Sequence, residues 1–186
     1  KMPEAITFLY LFYIFISIYF LFLFILIFIP NRHRILSHPK VTKEYSLDII
    51  IPCYNEAKTI GKSIKTLLES GYGRLSKIIV VDDCSTDNSY EVIKKFAKKY
   101  PKVMALQTPK NTGKASGSKN YGLKFSSSEL VGFADADSYP ERGAITKMIG
   151  FFDDPKVGAV TCLILAETKN KFIEKLQSIE YKIIAF

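Results

Sequence analysis

Between Ile6 and Ile29 the chain is an unbroken succession of Ile, Leu, Phe and Tyr, interrupted only by Thr7 and Ser17, without a charge or a proline. As a helix this run extends roughly 36 Å, enough to cross the hydrocarbon core of a bilayer. A soluble core helix is the poorer fit, because bulky apolar groups on every face leave no side to show to water. A cleaved leader fits poorly too: the run is long, and Pro30-Asn31-Arg32-His33-Arg34 is no small-residue cleavage site. We therefore expect a transmembrane helix with its flank over residues 1–32, a juxtamembrane linker over 33–46 and a globular domain over 47–186. Arg32, Arg34, Lys40 and Lys43 follow the run and only Lys1 and Glu4 precede it, which puts the globular part on the cytoplasmic side of the cell membrane.

In the remainder, strand-like and helix-like patterns alternate. Residues 47–51 form an apolar run stopped by Pro52, and Ile60, Ile64, Leu67 and Leu68 then recur at helical spacing up to Gly71. A second strand is predicted over 77–82. Asp87 or Asn88 can cap a helix carrying Val92, Ile93, Phe96 and Ala97 on one face. Strands over 103–106, 130–134 and 157–163 alternate with helices near 114–125 and 141–152, and Phe172, Leu176, Ile179 and Ile183 mark an amphipathic helix that can cover the sheet. Strands separated by helices of this length need right-handed crossovers and a mostly parallel sheet, an α/β nucleotide-binding type of architecture.

Charge and cysteine usage narrow the partners. The formal net charge is +8, but the lysines are spread over helix faces with no interleaved aromatic platform, which argues against nucleic acid and for anionic lipid heads and an anionic small substrate. Cys53, Cys84 and Cys162 include no CxxC pair, so neither a zinc site nor a disulfide framework is indicated.

Ligands of open parallel sheets sit beyond the carboxyl ends of the strands, and the loops there are rich in acids. The second strand ends on adjacent carboxylates, Asp82 and Asp83. Locally one of them reads as a turn cap, with Asp87 capping the helix that follows, although a carboxylate there can also grip the N–H of a base or the hydroxyls of a ribose. Asp135 and Asp137 should point to one side of an extended segment, where they repel unless a cation or protons intervene. The residues alone leave a divalent ion and a helix N-cap equally open.

The ordered series IIIPCYNEAKTI, KIIVVDDCSTDNS, NTGKASGSKNYGL, VGFADADSYP and VGAVTC, covering residues 47–163, resembles the family-2 glycosyltransferases. That resemblance implies a GT-A (Rossmann-like) nucleotide-sugar-binding domain that uses a nucleotide-diphosphate sugar, with UDP-sugar expected. It implies that Pro52, Tyr54 and Glu56 cradle base and ribose, that Asp83, with Asp82 beside it, contacts uracil, and that Lys114 approaches the nucleotide. Asp135 and Asp137 match the pair that holds Mg or Mn against the diphosphate. The inverting members use an aspartate base, expected beyond Phe186 together with the acceptor-binding part. Cys84 departs from the pattern, standing where many members have Gly. Gly113-Lys114 and the segment Gln177-Ser178-Ile179-Glu180-Tyr181 resemble the membrane-embedded polysaccharide synthases of the hyaluronan, chitin and cellulose types more than the lipid-phosphate transferases. The acceptor is thus expected to be a glycan or a lipid-linked sugar. Transfer to polyprenyl phosphate and a non-catalytic nucleotide-sugar-binding module are the alternatives. A dinucleotide oxidoreductase is disfavoured because Pro-Cys-Tyr-Asn-Glu, not GxGxxG, follows the first strand.

Overall fold

The computed structural model describes residues 4–36 and 38–162, with Ile173 and Lys175 beyond them, and the chain divides into two compact units. In the first, α1 runs from Glu4 to Leu36, and its Glu4–Arg32 portion is long and apolar enough to cross a membrane. Two of its polar side chains bond back to the helix backbone: Ser17 Oγ donates to Tyr13 O (2.8 Å) and Asn31 Nδ2 to Ile27 O (2.8 Å). The helix passes through Pro30 and takes in positions 33–36, which the sequence assigned to a linker.

The second unit, Pro39–Cys162, carries a four-stranded parallel sheet in the order β3-β2-β1-β4. Its strands are β1 (Leu47–Cys53), β2 (Leu75–Asp82), β3 (Val103–Gln107) and β4 (Leu130–Phe133). Between them run α2 (Ile60–Leu68), α3 (Ser89–Lys99) and α4 (Ala115–Leu123), and α5 (Ala144–Ile149) follows β4. Ile50, Ile51 and the whole run Ile78 to Val81 are fully buried, as expected for strands covered on both faces.

The period-two alternation of these strands divides the core. Ile49, Ile51, Cys53, Ile78 and Val80 pack with Ile60, Ile64 and Leu67 of α2, Ile93 of α3 and Ile145 and Ile149 of α5. Ile50, Ile79 and Val81 form the other face, against Tyr121 of α4. Gly122 lets α4 settle there, since a Cβ would stand 2.8 Å from Ile50 Cγ2 and 3.0 Å from Val81 Cγ2.

Pro52 does not stop β1 as the sequence suggested; it lies inside the strand, in register with Val81. The ladder explains why. The bonds towards β4 end where Ala134 N donates to Ile50 O (3.1 Å), so two residues further on the missing proline N–H has no partner to lose. On the other side the pairing continues, with Asp83 N donating to Cys53 O (2.8 Å). β1 and β4 therefore part beyond Ile50, where the chain order reverses and a crevice opens.

Other expectations are corrected. Residues 39–46, within the expected juxtamembrane linker, are docked on the domain: Val41 and Tyr45 pack on the core, Thr42 N and Oγ1 donate to Asp153 Oδ2 (3.0 and 2.6 Å), and Tyr45 N donates to Tyr72 Oη (3.1 Å). The helix expected from 141 begins only at Ala144, because Gly143 takes φ +83° and its N–H donates to Ser70 O (2.8 Å). Residues 157–162 make no strand ladder and are mostly exposed; no described strand runs alongside to pair with them. Leu163 and the expected amphipathic helix lie outside the described residues, apart from Ile173 and Lys175, which are helical.

Candidate functional site

A cavity of about 360 Å³ lies at the carboxyl ends of β1, β2 and β4. Pro52, Cys53, Tyr54 and Glu56 line it from the β1 loop, Asp83 from the end of β2, Asn111, Gly113 and Lys114 from the loop before α4, and Asp135, Ala136 and Asp137 from the loop after β4. The fold thus brings together every residue singled out from the sequence except Asp82.

The β1 loop is held from the β2 side. Asn55 adopts φ +56°; its N–H donates to Ser85 Oγ (2.9 Å), and its Oδ1 accepts from Thr86 N (2.8 Å). Ala57 N donates to Asp87 Oδ2 (3.1 Å) and Glu56 N to Ser89 Oγ (2.7 Å), so Asp87 and Ser89 organise the loop as well as the start of α3. Tyr54 is left half exposed at the rim. The Cys53 thiol is pushed up to about 12, mainly by burial and then by Asp82, so it is protonated and unsuited to nucleophilic work.

Asp82 and Asp83 have separate tasks. Asp82 is fully buried and does not reach the cavity; its Oδ2 accepts from Ser85 N (3.1 Å) and Gln107 Nε2 (2.9 Å), fixing the turn after β2 to β3. Asp83 is 5% exposed and faces the cavity. Its Oδ1 accepts from Thr108 Oγ1 (2.8 Å) and Thr112 N (3.0 Å), its Oδ2 from Thr112 Oγ1 (2.8 Å) and Thr112 N (3.1 Å). Burial alone would push the Asp83 carboxyl up, but these donors together outweigh it and hold the group below its ordinary value. Between Asp83 and Ser85, Cys84 takes φ +59°, a conformation that a glycine adopts without strain. The thiol compensates in part, donating to Thr108 O (3.3 Å).

Asp135 and Asp137 do not lie on an extended segment. Ser138 N donates to Asp135 O (3.1 Å) in a turn that buries Ala136 and leaves both carboxylates exposed at the cavity. Neither caps a helix, as α5 starts at Ala144 without a side-chain cap. The charge facing Asp135 is Lys119 of α4, with Nζ 3.6 Å from Oδ1. Among the described residues no three acidic, His or Cys side chains cluster as a complete metal cage. Two exposed carboxylates with open coordination suit instead a hard divalent ion that takes its other ligands from substrate phosphates and water.

Glycosyl transferase family 2 matches this chain over residues 48–185. The chain belongs to that family. Poly-beta-1,6-N-acetyl-D-glucosamine synthase of Staphylococcus aureus (strain COL) is 35% identical over 136 residues, which cover 73% of this chain and 32% of the relative; the protein of that name from Staphylococcus epidermidis is also 35% identical. The chain thus spans about a third of the length of the curated relatives it matches. Among solved structures, the mannosyltransferase PcManGT from Pyrobaculum calidifontis, in complex with GDP-Man and Mn2+, superposes with a TM-score of 0.60 at 28% identity, covering 74% of this chain and 42% of that one. Staphylococcus aureus TarS 1-349 in complex with UDP-GlcNAc shares the fold at 24% identity and a TM-score of 0.54, covering 67% of this chain and 38% of that one. The α/β fold is thus that of the GT-A glycosyltransferases of family 2.

The sequence reading missed the clamp on Asp83 and the partner of Asp135. Thr108 and Thr112 look like ordinary loop residues, and only the return of the β3 loop to the end of β2 makes them ligands of Asp83. Lys119 lies five residues beyond Lys114, a spacing that carries no signal until the fold brings α4 to the loop after β4.

Proposed function

We propose that this domain binds a nucleotide-diphosphate sugar, UDP-sugar being the expected donor, and transfers the sugar with inversion to a growing polysaccharide or other glycan. The reading rests on one observation: Tyr54, Glu56, Asp83, Lys114, Asp135 and Asp137, far apart in the chain, line a single cavity at the crevice of a parallel sheet. The homologous synthases support a glycan acceptor, and the structurally similar mannosyltransferase, solved with GDP-Man and Mn2+, supports a nucleotide-sugar donor.

In this reading the β1 loop and Asp83 receive the nucleoside, and Lys114, at the start of α4, supplies a mobile cation for the diphosphate. Asp135 and Asp137 hold Mg or Mn, which when bound stabilises the charge that develops on the departing nucleoside diphosphate. The cavity walls orient the anomeric carbon towards an acceptor hydroxyl. Residues 1–32 anchor the domain in the cell membrane beside anionic lipids, with residues 47–186 on the cytoplasmic side, where nucleotide sugars are expected.

Titration of the full chain in detergent or nanodiscs with UDP, GDP and ADP, with and without Mn2+, tests the reading. Metal-dependent binding that Asp135→Ala/Asp137→Ala abolishes is the expected result. Folded protein that binds no nucleoside diphosphate would sink it.

A further inference from the structure

Lys119 carries a charge that the fold holds in place but hardly uses for its own stability. Its side chain is 31% exposed, and its Nζ stands 3.6 Å from Asp135 Oδ1 and 5.7 Å from the centroid of the Phe133 ring. At that distance the ammonium and the carboxylate meet as charges rather than through a hydrogen bond, and a solvent-facing pair of this kind adds little to stability. Both partners are nevertheless rooted. Tyr121 and Gly122 seat α4 on Ile50 and Val81, which fixes the base of Lys119. Asp135 O accepts from Ser138 N (3.1 Å) and Ser63 Oγ (3.4 Å), which fixes the base of Asp135. The two charges therefore stay within a side chain's reach of each other.

Asp135 and Asp137 bring two negative charges to the turn, and Lys119 offsets one of them. A divalent ion bonded to Asp135 Oδ1 at about 2 Å would lie no more than about 6 Å from the ammonium. A divalent and a single positive charge that far apart repel, even in water, by enough to weaken binding about tenfold. We propose that Lys119 is a built-in counter-cation that keeps the Asp135–Asp137 pair from holding Mg or Mn on its own, so that the ion is taken up together with the donor's diphosphate. This deepens the metal-binding reading above and rests on it. The diphosphate brings negative charge that outweighs the ammonium, and its departure as product leaves the ion poorly held again. Lys119 thus couples occupancy of the metal site to occupancy of the nucleotide site.

The test is a titration of the full chain in detergent with Mn2+ at low ionic strength, with and without UDP, the free ion being read from its paramagnetic resonance signal. The native protein is compared with Lys119→Met, Lys119→Arg and Asp135→Ala/Asp137→Ala, with a melting curve for each. Without UDP, Lys119→Met should bind Mn2+ about tenfold more tightly than the native protein, and Lys119→Arg should match the native protein. The advantage of Lys119→Met should shrink to about twofold in about 0.5 M salt, while the Lys119 variants melt with the native protein. Mn2+ binding by Lys119→Met no tighter than native would overturn the proposal. So would an equal tightening in Lys119→Arg, which would make shape rather than charge the cause, or native Mn2+ binding that UDP does not strengthen. If Asp135→Ala/Asp137→Ala binds Mn2+ as well as the native protein does, the metal-binding reading itself falls, and this proposal with it.

Discussion

The two aspartate pairs of this domain are the same chemistry placed in opposite surroundings. Asp82 and Asp83 are buried and end in hydrogen bonds from four other residues, Ser85, Gln107, Thr108 and Thr112. Asp135 and Asp137 stand exposed on a turn, with Lys119 as the charge facing the first of them. Both Asp83 oxygens and Asp82 Oδ2 accept from the domain's own donors, which ties the buried pair into the frame, whereas the exposed pair keeps its lone pairs open to a ligand. Adjacent acids in a sequence look alike; donor supply tells them apart.

Substitutions should separate the pairs first by stability. Asp83→Ala strips the acceptor from two threonine side chains and one backbone N–H and should cost about 2–3 kcal/mol in chemical denaturation, with loss of nucleotide binding. A loss below about 0.5 kcal/mol would mean that the frame does not depend on it.

The next test is acid. Asp83 and Asp48 both have carboxyls held below the ordinary 3.8: burial, the largest influence, pushes each up, but hydrogen bonds outweigh it. For Asp48 these come from Ser127 N (3.0 Å), Ser126 Oγ (2.9 Å) and Ser128 N (3.2 Å). A folded value lower than the unfolded one gives stability that is present above the unfolded value and lost as pH falls through the folded one. Stability should therefore hold down to about pH 5 and fall below pH 3.8, and Asp83→Asn should flatten part of that fall. A native profile unchanged down to about pH 3 would break the assignment.

Cys84→Gly probes the turn that carries the buried pair. It relieves the positive φ but loses the thiol contact and gains unfolded-state freedom, so the net should be a stabilisation of less than about 1 kcal/mol. A clear destabilisation would show that the thiol contact outweighs the backbone strain. The smallest stability change, within about 0.5 kcal/mol, is expected for Asp135→Ala/Asp137→Ala, despite the complete loss of metal-dependent nucleotide binding. Should this variant unfold as readily as Asp83→Ala, the contrast between the pairs fails.

The sequence made the layered α/β design and most of the cavity lining readable, because strands such as Ile78 to Val81, buried on both faces, have to be continuous in β-branched residues. What it left out depends on where the ladders stop. Pro52 reads as a terminator until it is known that β4 no longer pairs there, and residues 157–162 read as a strand although no described strand flanks them. The roles of Thr108, Thr112 and Lys119 are likewise set by which loop returns to which strand end. Cys84 was legible as a departure from the glycine that the resemblance implies, and its positive φ is a conformation that glycine adopts without strain.

The proline inside β1 also acts as a zip stop. Beyond Ile50 the main chain of β1 facing β4 has no N–H at position 52, so any lengthening of that ladder into the crevice would lack a rung. A residue with an N–H there would offer that edge a rung, and each added rung would draw the Asp135–Asp137 turn closer to the Tyr54 loop. One missing hydrogen thus weighs against the mouth of the site sewing itself shut.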